Sequence, residues 1–139
     1  MRIAYTRVRA LFDTFLTDDA DYSGNRVPGL APHRLDVLGQ LVRGPAFLEL
    51  RGLWQDAVPV DDDNAFEAAG YTLVDMRAGL DRWALGRVSV SPFAGIANLF
   101  NRRYVSSVAV NAFGARYYEP GPGRTLQVGA GITWLGASR

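Results

Sequence analysis

Apolar and polar residues alternate with a period of two along most of the chain, and the final segment shows the pattern most clearly. Leu126, Val128, Ala130, Ile132 and Trp134 fall on one side; Thr125, Gln127, Gly129, Gly131 and Thr133 fall on the other. Successive side chains of a strand point to opposite faces, so this alternation predicts a strand with one apolar and one polar face. Segment 70–81 repeats the pattern, with Val74, Met76, Ala78 and Leu80 opposing Asp75, Arg77, Gly79 and Asp81. In 46–56, Leu48, Leu50, Gly52 and Trp54 oppose Glu49, Arg51 and Gln55. In 34–43, Leu35, Val37, Gly39 and Leu41 oppose a mixed side with Asp36 and Gln40. Segments 2–12 and 87–100 alternate less cleanly, the latter with room for a bulge near Pro92. The expectation is an all-β chain of about six meandering antiparallel strands, with no amphipathic helix.

The connections alternate between long and short. Loose stretches run from Asp13 to Pro32, Ala57 to Gly70 and Val105 to Gly123, while Gly44-Pro45 and Arg82–Gly86 turn tightly. Long structureless loops are uncommon inside compact soluble domains. Short periplasmic turns alternating with long extracellular loops characterise outer-membrane barrels. Ten residues at about 3.3 Å each, tilted near 45°, cover an apolar band of about 25 Å. Trp54 and Tyr104 at the loop side, and Trp134 at the opposite end, share the parity of the apolar face and are expected as interfacial aromatics. Alternation by itself also fits a soluble sandwich or lipocalin-like binder, which wets one face and buries the other.

Composition narrows the field. With 139 residues, 48% hydrophobic, and a net charge of +1, the chain lacks the basic excess of a nucleic-acid binder. All of the basic side chains except His33 are Arg, and Cys is absent, which excludes disulfides and thiolate sites. Residues 1–9 contain no apolar core region or small-residue cleavage site and do not read as a secretory signal. No stretch approaches the roughly 18 apolar residues of a spanning helix, so any membrane contact is made through strands.

The run Asn98-Leu99-Phe100-Asn101-Arg102-Arg103-Tyr104 resembles one carried near the end of the barrel by TonB-dependent outer-membrane receptors. Three other stretches resemble that family, in its order. They are Ser23–Gly29 with Pro32-His33-Arg34, Gly70–Gly79, and the approach to the last strand, Tyr118-Glu119-Pro120-Gly121-Pro122-Gly123-Arg124. The resemblance covers nearly the whole of 1–139 and implies the C-terminal part of a transmembrane antiparallel β-barrel. It implies uptake of a scarce nutrient, above all a ferric siderophore, across the outer membrane. Implied partners are outer-membrane lipid, the remaining strands and plug of a parent receptor, the TonB complex through a further N-terminal part, and the barrel-assembly machinery. Trp134 resembles the terminal aromatic read by that machinery, although Leu135-Gly136-Ala137-Ser138-Arg139 follow it. By itself such a piece is expected to transport nothing, because six strands cannot close around a plug.

Candidate ligand-facing residues are the loop side chains Tyr22, Phe113, Arg116, Tyr117 and Tyr118. Aromatics and Arg suit a flat anionic chelate through stacking and charge, though ordinary packing between loops is the plainer explanation of such residues. Glycines Gly79, Gly129 and Gly131 on the polar face leave room beside larger residues. Glu49, Arg51, Asp75, Arg77 and Asp81 are expected to form a ladder of opposite charges inside the barrel. Asp61-Asp62-Asp63-Asn64 offers oxygen ligands but lacks the EF-hand spacing, and reads as a solvated loop before a Ca²⁺ site. His33 stands alone between Pro32 and Arg34, with no Gly-x-Ser-x-Gly elbow and no complete phosphate loop in the chain. No catalytic residues, resident metal or cofactor are expected.

Overall fold

A computed structural model describes residues 1–134, so the terminal stretch after Trp134 lies outside the described residues. The strands are β1 (Arg2–Arg7), β2 (His33–Arg43), β3 (Ala46–Gln55), β4 (Val58–Pro59), β5 (Glu67–Ala68) and β6 (Tyr71–Leu80). They continue with β7 (Trp83–Leu85), β8 (Val88–Ala97), β9 (Val105–Val108), β10 (Tyr118–Pro120) and β11 (Thr125–Trp134). One antiparallel sheet carries the architecture in the order β1-β2-β3-β6-β8-β11, with β7 paired to the lower half of β8. The two outer strands do not pair with each other, so the described sheet is an open wall. The ladders β4–β5 and β9–β10 lie within the long loops.

Register fixes the faces. One unbroken row joins Tyr5, Leu35, Trp54 and Thr72; the next joins Ile3, Val37, Gly52 and Val74. Further rows join Gly39, Leu50, Met76, Ile96 and Leu126, and Leu41, Leu48, Ala78, Ala94 and Val128. This face is apolar through its central rows, and nothing among the described residues covers it: Val128 is 85% exposed and Ile132 74%. A soluble sandwich packs a second layer on such a face, and large uncovered apolar patches are rare on soluble proteins. The buried apolar cluster lies instead in the loops, around Val58, Val60 and Ala68. The arrangement is inside-out relative to a soluble protein and fits a wall that lipid covers.

The opposite face carries the charges. Glu49 lies opposite Arg77, and Arg51 opposite Asp75. Arg51 also reaches Asp36 at 3.3 Å, and Arg34 holds Asp36 at 3.0 Å. Register thus sets the expected opposite charges side by side. The ion pairs on this face among the described residues, however, are those of Asp36 with Arg34 and Arg51, and Asp81 lies past the end of β6 beside Arg82. Lower on this face, Phe47, Gly79, Phe93 and Gly129 form a row, with the Arg77 guanidinium 4.1 Å from the Phe93 ring centroid. A Cβ at Gly79 would lie 2.3 Å from the Pro92 carbonyl oxygen, and one at Gly129 would lie 2.7 Å from the Phe93 ring. Gly131 differs: a Cβ there meets only Ser91, at an ordinary 3.7 Å.

Both tight connections put glycine first. Gly44-Pro45 joins Arg43 to Ala46, and Gly86-Arg87 joins Leu85 to Val88, with φ of +57° and +63° at the glycines. Two-residue hairpins favour positive φ at that position. The strand expected over 87–100 is β8, and its pairing with β11 is continuous through Pro92. The irregularity lies on its other side. Between the Gly79–Phe93 and Trp83–Val90 pairs, Leu80, Asp81 and Arg82 face only Ser91 and Pro92. This is a bulge with one extra residue, where Arg82 takes φ +47° and its N–H donates to Ser91 Oγ. The bulge switches parity, so Trp83 and Leu85 join Val88, Val90 and Trp134 on the apolar face.

Three expectations of bounds and faces need correction. The tight turn expected over Arg82–Gly86 is confined to Gly86-Arg87, because Trp83–Leu85 pair with β8 as β7. The strand expected over 2–12 ends at Arg7, because residues 8–11 turn to pair with the incoming loop: Val27 N–H donates to Ala10 O, and Leu11 bridges Arg26. Tyr104 is not an interfacial aromatic of the apolar face. Its ring packs 4.8 Å from that of Tyr71, which shares the charged face through its pairing with Gln55. The turn at Asn98–Asn101 breaks the parity that the sequence implied. Trp83 and Trp134 mark the short-turn end instead, and Trp54 the long-loop end.

Candidate functional site

The three long connections gather at one end of the sheet and pack on one another. Val60 and Pro59 are fully buried there, with Ala31, Val105, Val108 and Tyr117 around the cluster. Asparagines hold the loops together. Asn64 accepts from the Arg26 N–H at 2.8 Å and donates back to the Arg26 carbonyl at 2.9 Å. Asn111 accepts from the Asp62 N–H and donates to Asp62 Oδ2 at 2.8 Å, while its own N–H donates to the Val60 carbonyl. Asn25 donates to the Asp62 carbonyl, and Arg26 pairs with Glu67. A side-chain amide can imitate a peptide group, giving and receiving at once, so each asparagine replaces a missing ladder contact. Asp61 Oδ1 in turn accepts from the Phe66 N–H. The acidic run is thus a loop junction, with the Asp61 and Asp62 carboxylates engaged by backbone and amide donors and Asp63 exposed.

A second assembly fixes the feet of the last long loop, and it is built from the run that the sequence singled out. Asn98 is 5% exposed and adopts φ +51°. Its backbone N–H donates to Asp75 Oδ1 at 2.9 Å, reaching across to β6. Its amide donates to the carbonyls of Arg102 and Pro122 and accepts from the Arg102 N–H at 2.7 Å. Leu99 N–H donates to the Val74 carbonyl, and Asn101 Oδ1 accepts from the Arg124 N–H. The Tyr104 ring covers Gly121, where any Cβ would lie 2.2 Å from the ring. Pro122, Gly123 and Arg124 are therefore tied to Asn98, Asn101 and Tyr104 in space, which joins the two runs noted separately in the sequence. Phe100 points away and is exposed.

The five candidate ligand residues separate. Tyr22 packs on Phe15, which in turn packs on Phe12, within the first loop. Tyr117 lies against Phe66 and the buried cluster, and Tyr118 donates its hydroxyl to the Glu67 carbonyl. Their rings meet each other at 6.0 Å, so these two are brought together and tied to the middle loop. Phe113, 98% exposed, and Arg116, also exposed, stand at the crest of the last loop. Desolvation, with Asp61, Asp63 and Tyr118 nearby, raises the Tyr117 phenol above the ordinary tyrosine value. Hydrogen bonds from Ser23 hold Asp21 below the ordinary carboxylate value. Sequence reasoning misses Asn111 altogether and notes Asn25 and Asn64 only within longer runs, because asparagines that join loops look like ordinary turn formers.

No family model matches the sequence. Several solved structures share the fold, among them two proteins that handle ferric complexes. The ferric citrate transporter FecA, unliganded, matches over 80% of this chain with a TM-score of 0.68 and 19% identity. The ferric yersiniabactin uptake receptor FyuA from Yersinia pestis matches over 92% with a TM-score of 0.64 and 23% identity. The chain spans 18% of the first protein and 20% of the second. Its fold is that of a stretch of antiparallel β-barrel wall with packed loops at one end, shared over that length with these two proteins.

Proposed function

We propose that this chain serves as part of the barrel of a TonB-dependent receptor that takes up a ferric siderophore across the outer membrane. The observation that carries the reading is the uncovered face, apolar through its central rows and backed by a charged one, with packed loops at a single end. FecA and FyuA, which share the fold, handle ferric citrate and ferric yersiniabactin. In this reading the charged face lines the lumen and meets the plug of the parent receptor, through which TonB acts. The work is capture and conduction, with no bond chemistry. Phe113 and Arg116 are the side chains offered to an anionic iron chelate, while Tyr22, Tyr117 and Tyr118 shape the loops that present them.

Deleting the complete reading frame that contains this chain, then measuring energy-dependent uptake of radio-iron chelates, tests the proposal. Loss of uptake of one siderophore class, restored by the gene, is the expected result. Unchanged uptake of every chelate under iron limitation contradicts it.

A further inference from the structure

A second cluster lies outside the loop site. Register places Tyr5, Arg7 and His33 on the apolar face, because Arg7 pairs with His33 and Tyr5 with Leu35. Arg7 and His33 stand one step beyond the apolar band, at its long-loop end. There they open onto a cleft of about 250 Å³ that Arg9 and Arg26 also line, with Leu11 and Leu30 among its apolar walls. Arg26 is paired with Glu67, but no ion pair among the described residues takes up Arg7 or Arg9. The Tyr5 hydroxyl is hydrogen-bonded to His33 Nδ1 at 2.7 Å, and the two rings stack with planes 15° apart. With the hydroxyl donating to Nδ1, Nε2 carries the ring proton and is left to donate.

We propose that this cleft binds the phosphate of a phosphorylated lipid headgroup at the outer edge of the bilayer. The proposal rests on the reading that the apolar face is lipid-covered. Outward-facing cations directly above an apolar band sit at headgroup depth, where an uncompensated guanidinium finds its natural counter-ion. Arg forks match phosphate oxygens, and the His33 N–H adds a third donor from another strand. Leu11 and Leu30 suit the hydrophobic body that a lipid, and not free phosphate, brings with its headgroup.

The test uses the full chain with phosphatidylcholine vesicles, with and without phosphatidic acid, and reads partitioning by tryptophan fluorescence. Arg7→Ala with Arg9→Ala should leave insertion into neutral vesicles unchanged and weaken the gain from phosphatidic acid about 25-fold, at about fivefold per Arg. Arg43→Ala with Arg87→Ala, at the short-turn end, removes the same charge and should cost clearly less. Equal losses in the two double variants, or no gain from phosphatidic acid, overturn the phosphate site. Inorganic phosphate that abolishes the gain reassigns the cleft to free phosphate and overturns the headgroup assignment. Failure of the unaltered chain to insert into neutral vesicles is a separate result that overturns the membrane reading itself.

Discussion

Replacing Asn98 by alanine removes the centre of the assembly that ties the last loop to the wall. The substitution deletes three side-chain hydrogen bonds, two to carbonyls and one from the Arg102 N–H, at a residue only 5% exposed. Each such bond contributes about 1 kcal/mol net, so their loss costs about 3 kcal/mol. The backbone adds to this, because φ is +51° and a plain Cβ residue in the left-handed region costs about 1 kcal/mol more than asparagine. The sum is about 4 kcal/mol, a large share of the 5–15 kcal/mol typical of a folded domain. Asn98→Gly separates the terms: it loses the same bonds but accepts positive φ, and should recover about 1 kcal/mol. Urea unfolding of the chain in detergent micelles, followed by tryptophan fluorescence, gives both values. Trypsin cleavage at the exposed Arg116 should also accelerate as the loop loosens. An Asn98→Ala chain within about 0.5 kcal/mol of the parent, a margin well below one hydrogen bond, refutes the reasoning. So does a glycine variant no better than alanine.

Three further outcomes follow from the geometry. Gly79→Ala drives a Cβ to 2.3 Å from the Pro92 carbonyl oxygen and should cost about 2–3 kcal/mol, while Gly131→Ala should be near neutral; equal unfolding midpoints contradict this. Asn64→Ala breaks both contacts with the Arg26 backbone and should raise proteolysis within residues 8–32 while leaving the sheet's circular dichroism intact; unaltered cleavage counts against the asparagine link. For Tyr117, the raised phenol pKa means that the fold favours the neutral form. Its contribution is fully present below the unfolded value near 10, and is lost as pH rises through the folded one. An ultraviolet titration should show the late-ionising absorbance reduced by Tyr117→Phe, and a late phase of unchanged amplitude in that variant contradicts the assignment.

The wall was legible in the sequence because a period of two is set by the covalent chain and survives wherever one face is apolar. Leu126 to Trp134, Leu48 to Trp54 and Val74 to Leu80 could all be assigned to one face without knowing their neighbours. Parity fails where the backbone adds a residue or turns. The bulge at Leu80–Arg82 hid Trp83 from the apolar face, and the turn at Asn98–Asn101 moved Tyr104 to the other side. The recognised runs named Asn98 and Pro122-Gly123-Arg124 correctly as special, but their mutual contact spans 24 residues and no local pattern encodes it. The loops were least legible. Whether Tyr117 faces solvent or the Val58–Val60 cluster depends on the pairing of Asn111 with Asp62, which only the assembled loops reveal.

The central claim, that one face of this sheet lies against lipid, is open to direct measurement because the chain has no native cysteine. Single cysteines placed at each position from Leu126 to Thr133 except Gly129, where a Cβ would meet the Phe93 ring, can carry an environment-sensitive fluorophore in the vesicle-inserted chain. Quenching by brominated lipid and by aqueous iodide is then read at every site. Strict alternation is expected: Leu126, Val128, Ala130 and Ile132 quenched by lipid, and Gln127, Gly131 and Thr133 reached from water. Uniform access by iodide, or lipid quenching with no period of two, contradicts the barrel-wall assignment.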